Sequence, residues 1–136
     1  MATTTYSAKQ VYISYGTHTI HGLAEDSFVT IDPNTEGITK KVGCDGEVAR
    51  AIIPDKTYKV RIVLLQTSAS NLYLQTQYHA DRESGDGIQA LSIRDVKGNV
   101  LFQADAWITR SASITYGREV ASREWNFDTA EAADPF

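Results

Sequence analysis

The alternation of hydrophobic and polar positions is strongest between residues 59 and 97, and the rest of the chain is organised around that stretch. Val60, Ile62 and Leu64 lie on one face of a predicted strand, and Val63 and Leu65 add apolar positions to the other. Strands of that kind are usually covered on both faces. Thr67-Ser68-Ala69-Ser70 then supplies N-cap residues for a helix running to about Glu83. Asn71, Leu74, Tyr78 and Asp81 fall on one line of that helix, so its apolar stripe is narrow. Gly85-Asp86-Gly87 stops it, and Ile88 to Val96 returns as a second strand. Val60, Ile62, Leu64, Leu74 and Tyr78 are the expected contact between helix and sheet.

Shorter alternations flank this unit. Gln10 to Tyr15 reads as a strand, Gly16-Thr17 as a turn and His18 to Leu23 as the return strand of a hairpin. Asp26 to Asp32 is a third strand, closed by Pro33-Asn34. The pattern then degrades, and residues 33–55 read as a long loop in which Glu47 to Ile53 is at most one strand. Loops of that length in compact domains are often functional. Lys97-Gly98-Asn99 forms a turn into Val100 to Thr109, Ile114 and Tyr116 mark a further short strand, and Val120 to Thr129 is the last. Residues 1–8 form an uncharged flexible arm and residues 130–136 a small acidic tail. The fold predicted is one mainly β domain over 1–136, a β-sandwich or half-barrel of about eight or nine strands with one helix packed on the sheet.

Composition narrows the function classes. A net charge of −4 opposes a protein that grips nucleic acid through its phosphates, though not one that encloses it. The single Cys44 excludes an internal disulfide framework and fits a reducing compartment. No run approaches the ~20 apolar residues of a membrane span, so no membrane insertion is expected, and the N-terminus lacks a basic region followed by an apolar run. His18 and His21, three apart in a predicted strand, should point to opposite faces and not share a metal. His79 has no ligand at metal spacing, and Cys44 has no activating base in view. Asp81, Glu83 and Asp86 do not have the spacing of a calcium loop and read as a solvated helix end. The expectation is no catalytic residue, no cofactor and no metal.

Five strings carry a resemblance across nearly the whole chain: YSAKQVYISYGTHTIHGLAEDSFVTIDPN, KVGCDGEVARA, VRIVLLQTSASN, ADRESGDG and YGREVASREWNFDTA. Together they resemble the tail tube proteins of contractile-tailed (myovirus-type) bacteriophages. The matching motifs stand at Gly22-Leu23-Ala24-Glu25-Asp26, Lys41 to Val48, Leu65 to Asn71 and Gly117 to Trp125, with Cys44 departing from the small residue expected there.

The resemblance implies a virion structural protein, assembled in the host cytoplasm, whose subunits close into hexameric rings. The rings stack into the inner tail tube through which phage DNA passes during ejection. Implied partners are further copies of the chain, the tail sheath, and baseplate and tail terminator proteins. Lys40, Lys41, Asp45, Glu47 and Arg50 in the long loop are candidates for contacts between rings. Gln66, Gln89, Gln103 and Asp105 are candidates for the lumen, whose wall should be rich in acids and amides and poor in unpaired Lys or Arg. Two alternatives stay open: the tube of a related contractile injection system or bacteriocin, and a monomeric β-sandwich that binds a small ligand or sugar through Tyr73, Tyr78 and Trp107.

Overall fold

The structure, a computed structural model, describes residues 3–25, 27–96 and 100–132. Among the described residues a short 3-10 turn (Ala8–Gln10) is followed in order by nine strands and one α-helix: β1 (Val11–Tyr15), β2 (His18–Thr19), β3 (Val29–Pro33), β4 (Ile38–Val42), β5 (Val48–Ile52), β6 (Tyr58–Leu65), α1 (Ser70–Ser84), β7 (Gln89–Asp95), β8 (Val100–Arg110) and β9 (Ser122–Thr129). Seven strands make one open antiparallel sheet in the order β2-β1-β7-β8-β9-β6-β3, while β4 and β5 pair only with each other. A single open sheet, and not two facing sheets, is therefore the β body.

Strand alternation sets two unlike faces. Tyr58, Val60, Ile62 and Leu64 of β6 stand beside Phe127 and Trp125 of β9 on one face, with Phe102, Ala106 and Ile108 of β8 and Leu91 and Ile93 of β7 continuing it. Helix α1 covers this face through Leu74, which is fully buried, with Tyr78 half-buried one turn on. The five residues expected at the helix–sheet contact all belong to this core or pack against it. The opposite face is not covered by a helix or a second sheet among the described residues. The expectation that β6 is sheathed on both sides is corrected accordingly: Val63 is shielded locally by Ala24, whose N–H donates to Val63 O, and by Phe28, whose O accepts from Val63 N–H.

The helix ends as its sequence dictates, but its start differs: the N-cap falls on Ala69, which makes no side-chain cap bond, and Ser68 Oγ, one residue earlier, accepts from Ser70 N–H at 3.2 Å. Gly85 closes the helix in the left-handed region (φ 76°), its N–H donating to Asp81 O at 2.8 Å, a conformation that costs a glycine little. Three expectations change. Residues 33–55 hold a regular β4–β5 hairpin in place of an irregular loop. Ile114 and Tyr116 form no strand, because residues 111–121 cross between β8 and β9 with no strand to pair against. The return strand after Gly16 is short: β2 ends at Thr19, and Leu23 makes an isolated bridge to Leu64. The turn expected at Lys97-Gly98-Asn99 lies outside the described residues, as do the first two residues of the N-terminal arm and the end of the C-terminal tail.

Candidate assembly surfaces

The β4–β5 arm leaves the sheet where β3 ends at Pro33 and rejoins it where β6 begins at Tyr58. Asn34 N–H donates to Thr57 O, Asn34 Nδ2 to Thr57 Oγ1, and Asp55 Oδ1 accepts from both the N–H and the hydroxyl of Thr57. Those bonds from Thr57 hold the Asp55 carboxyl below the usual carboxylate range. At the tip, Gly43 N–H bonds Glu47 O and Asp45 Oδ1 accepts from Glu47 N–H, so Asp45 and Glu47 build the turn, beside an exposed Cys44.

Register separates the remaining arm candidates. Lys40 lies directly opposite Arg50, on the face that also carries Ile38 opposite Ile52 and Val42 opposite Val48. Lys41, opposite Ala49, is on the other face with Thr39 and Ala51. All four aliphatics of the first face are exposed, Ile52 at 77%. A cleft of about 760 Å³, walled by Ile38, Ile52, Ile53, Lys56 and Tyr58, separates the base of the arm from the sheet.

The uncovered sheet face carries a balanced set of charges. Lys59 of β6 has Asp32 of β3 on one side and Asp128 of β9 on the other. Arg61 Nε lies 3.1 Å from Glu124 Oε1, the one ion pair among the described residues. Arg94 stands between Tyr12 and Leu101, and Arg110, displaced by a bulge after Ile108, stands opposite Asn126. Asp105 is the fourth acid of this face, with Gln103 two residues before it. Gln89 is not with them: it pairs with Ala106 on the helix-covered side, its side chain lying beside Gly16. Gln66 sits past the end of β6, where its Oε1 accepts from Ala121 N–H. The four lumen candidates thus divide among three places.

Sequence reasoning misplaced the two histidines. Because β2 ends after Thr19, the chain curls and the rings of His18 and His21 come within 5.8 Å. His18 stacks on Tyr73 at 4.4 Å and its Nε2 lies 2.9 Å from Ser70 Oγ, which also accepts from His21 N–H. The pair fastens the edge of the sheet to the first turn of α1. Tyr15 is buried nearby, its hydroxyl donating to Gly87 O at 2.8 Å and to Ala106 O at 3.2 Å. Burial first, then the neighbouring Asp81 and Tyr73, push its ionisation far above the ordinary phenol range. Tyr73 and Tyr78 lie on the helix side and Trp107 on the uncovered face, so the three aromatics expected of a sugar site do not converge.

Residues 2–134 match the family described as Bacteriophage PhiTE tail tube protein. The chain is 30% identical over 132 residues to Structural protein ORF10 of Pseudomonas phage KPP10, covering 90% of this chain and 76% of that protein. Among solved structures it is similar to a chain of the anti-feeding prophage cap (AFP tube terminating cap), with a TM-score of 0.60 at 9% identity over 98% of this chain and 92% of the other. A chain of the sheath/tube terminator of an extracellular contractile injection system, PVC, in the extended state gives 0.59 at 9% identity over 98% of each. A chain of the PVC sheath–tube complex gives 0.57 at 10% identity over 93% and 88%. At these identities the structural likeness is one of fold.

Proposed function

Because this chain belongs to the Bacteriophage PhiTE tail tube protein family, we propose that its copies close edge to edge into hexameric rings, and that the rings stack into the tube through which phage DNA leaves the particle. The observation that carries this reading is the open seven-stranded sheet. Among the described residues β3 has no strand on its outer side, and β1 carries β2 only at Ser14 and Tyr15. Unpaired edges are a hazard in a monomer and a joining surface in a ring. Edge-to-edge closure makes one barrel from the copies, with the helix-bearing faces together on one side and the uncovered faces together on the other.

In this reading the uncovered face lines the lumen. Its four cations, Lys59, Arg61, Arg94 and Arg110, are matched by Asp32, Asp105, Glu124 and Asp128. That balance replaces the acid-rich wall expected earlier, and only Lys59 and Arg61 have acids beside them. A wall whose charges nearly cancel, with Glu25 beside Arg61 and Glu124 adding one acid, gives a duplex little net attraction, and residual fields fade over a Debye length of ~8 Å at physiological salt. Helix α1 then faces outward, where a sheath subunit packs. Lys40, Lys41, Asp45, Glu47 and Arg50, all on the arm, remain the candidates for contacts between rings.

Negative-stain electron microscopy of the purified protein tests the reading. Rings of uniform width and stacks of them are expected. A monodisperse monomer at every concentration, measured by sedimentation, overturns it.

A further inference from the structure

We propose that His18 and Ser70 form an acid-released latch that holds β2 on the edge of the sheet. The latch belongs to the single subunit and stands whether or not copies assemble into a tube.

The latch follows from the donors and acceptors around one buried hydroxyl. Ser70, the first residue of α1, is fully buried. Its Oγ accepts from His21 N–H at 3.1 Å and lies 2.9 Å from His18 Nε2. Among the described residues, His18 Nε2 is the one acceptor within reach of the Ser70 O–H. A buried hydroxyl hydrogen with no acceptor is unfavourable, so Ser70 donates to His18 Nε2. That bond needs a lone pair on Nε2, which makes His18 a neutral imidazole with its hydrogen on Nδ1. Stacking on Tyr73, with ring centroids 4.4 Å apart, holds the imidazole in the pose that the bond requires.

Protonation removes the acceptor. Both nitrogens of an imidazolium are donors, so Nε2 and Ser70 then turn hydrogens toward each other. Ser70 Oγ can rotate to accept from Nε2–H only by leaving its own hydrogen buried and unreceived. The surroundings do not offset the new charge. The ring of His21 lies 5.8 Å away on the same hairpin, and Tyr73 of α1 and Tyr15 of β1 are the phenols against the site. Asp81, farther along α1, neighbours Tyr15. No acid lies within ion-pair distance of His18 or His21 among the described residues.

The latch has little to help it. β2 is two residues long and meets β1 only at Ser14 and Tyr15. Beyond it, Ile20 N–H donates to Ile13 O and Ser68 Oγ donates to His21 O. The Ser70 hydroxyl therefore stands at the centre of the tie between β2 and α1. When the tie opens, β2 uncovers Ser14 and Tyr15 and lengthens the unpaired stretch of β1 that begins at Val11. An unpaired strand edge is a template for another chain, so the protonation of one imidazole sets how much of that edge is available.

Hydrogen exchange of the Ile20 and His21 amides, corrected for the intrinsic pH dependence of exchange, tests the latch at pH ~7.5 and pH ~5.5, either side of the ~6.5 at which free imidazole titrates. Protection of both amides should fall about tenfold in the wild-type protein, the scale of one proton over one pH unit. The core amide of Leu91 should keep its protection. His18→Gln gives Ser70 a carbonyl that does not titrate, so its protection should be equal at the two pH values, while His21→Gln should retain the fall. Ring nitrogen chemical shifts of His18 in the wild-type protein at the higher pH should place the hydrogen on Nδ1. Unchanged wild-type protection, a fall that persists in His18→Gln, a fall shared equally by Leu91, or a hydrogen on Nε2 overturns the proposal.

Discussion

Trp125 on β9 donates its indole N–H to Asn71 Oδ1 on the first turn of α1 at 3.0 Å, both residues being buried. The same Asn71 amide donates to Leu65 O at 2.9 Å and Ser68 O at 3.1 Å, so one side chain ties the end of β6, the connecting turn and β9 together. Asn71→Leu keeps the volume and strands the indole N–H, while Leu65 O and Ser68 O keep the backbone bonds from Ser68 N–H and Asn71 N–H. We predict a loss of about 1–3 kcal/mol, read from urea unfolding, the cost of a buried donor left unpaired.

Leu74 is the helix's one fully buried aliphatic residue among those described. Leu74→Ala should cost about 2–5 kcal/mol, the range for a large-to-small change in a packed core. His79→Ala, at an exposed position five residues on, should stay within about 0.5 kcal/mol. Equal melting temperatures for the two variants would show that α1 contributes no packing.

Gly22 is fixed by both conformation and space. Its φ is 72°, and a Cβ there would lie 2.6 Å from Ser68 Cβ and 3.2 Å from Ser68 Cα. Leu65 N–H donates to Gly22 O, so the chain cannot shift away without losing that bond. Gly22→Ala should destabilise by about 1–3 kcal/mol, the cost of a strained backbone position, and Gly37→Ala, which meets no atom within 4 Å, serves as the control in the same thermal melt.

The raised ionisation of Tyr15 fixes the sign of an alkaline effect. Folded Tyr15 holds its proton where the unfolded phenol, at about pH 10, releases it. The contribution to stability is whole below pH ~10 and is lost as the pH climbs above it. Denaturant midpoints at pH 7 and pH 11 should therefore differ more in wild type than in Tyr15→Phe. At pH 7 that variant should itself be weaker by about 1–3 kcal/mol, because Gly87 O and Ala106 O lose their donor.

The core was legible because alternation and burial coincide there: Val60, Ile62 and Leu64, or Phe102, Ala106 and Ile108, are read off the chain as they stand in the sheet. The arm was hidden because neither of its faces is buried and Lys40 and Arg50 interrupt the aliphatic face, so the period-two signal in ITKKV and VARAI is broken at its centre. Its one local sign was Gly43-Cys44-Asp45-Gly46, a turn between two short runs of equal length. The opposite error occurred at Ile114 and Tyr116, where alternation exists and no strand is available to pair. The meeting of Lys40 with Arg50, and the separation of Gln89 from Gln103, depend on register. Register is set by pairing across the sheet and is not written in either strand alone. The approach of His18 to His21 depended on where β2 stops, the least legible property of any strand.

The opposed cations of the arm also decide what the free subunit avoids. A bare two-stranded ribbon with four exposed aliphatics invites its own kind, ribbon against ribbon, in a dead-end aggregate. Two such faces brought together would crowd two lysines and two arginines into one apolar seam with no counter-charge. Lys40 and Arg50 are thus gatekeepers: they make the symmetric encounter repulsive while leaving the encounter with an acid attractive. In the tube reading, that repulsion disfavours free subunits pairing arm to arm.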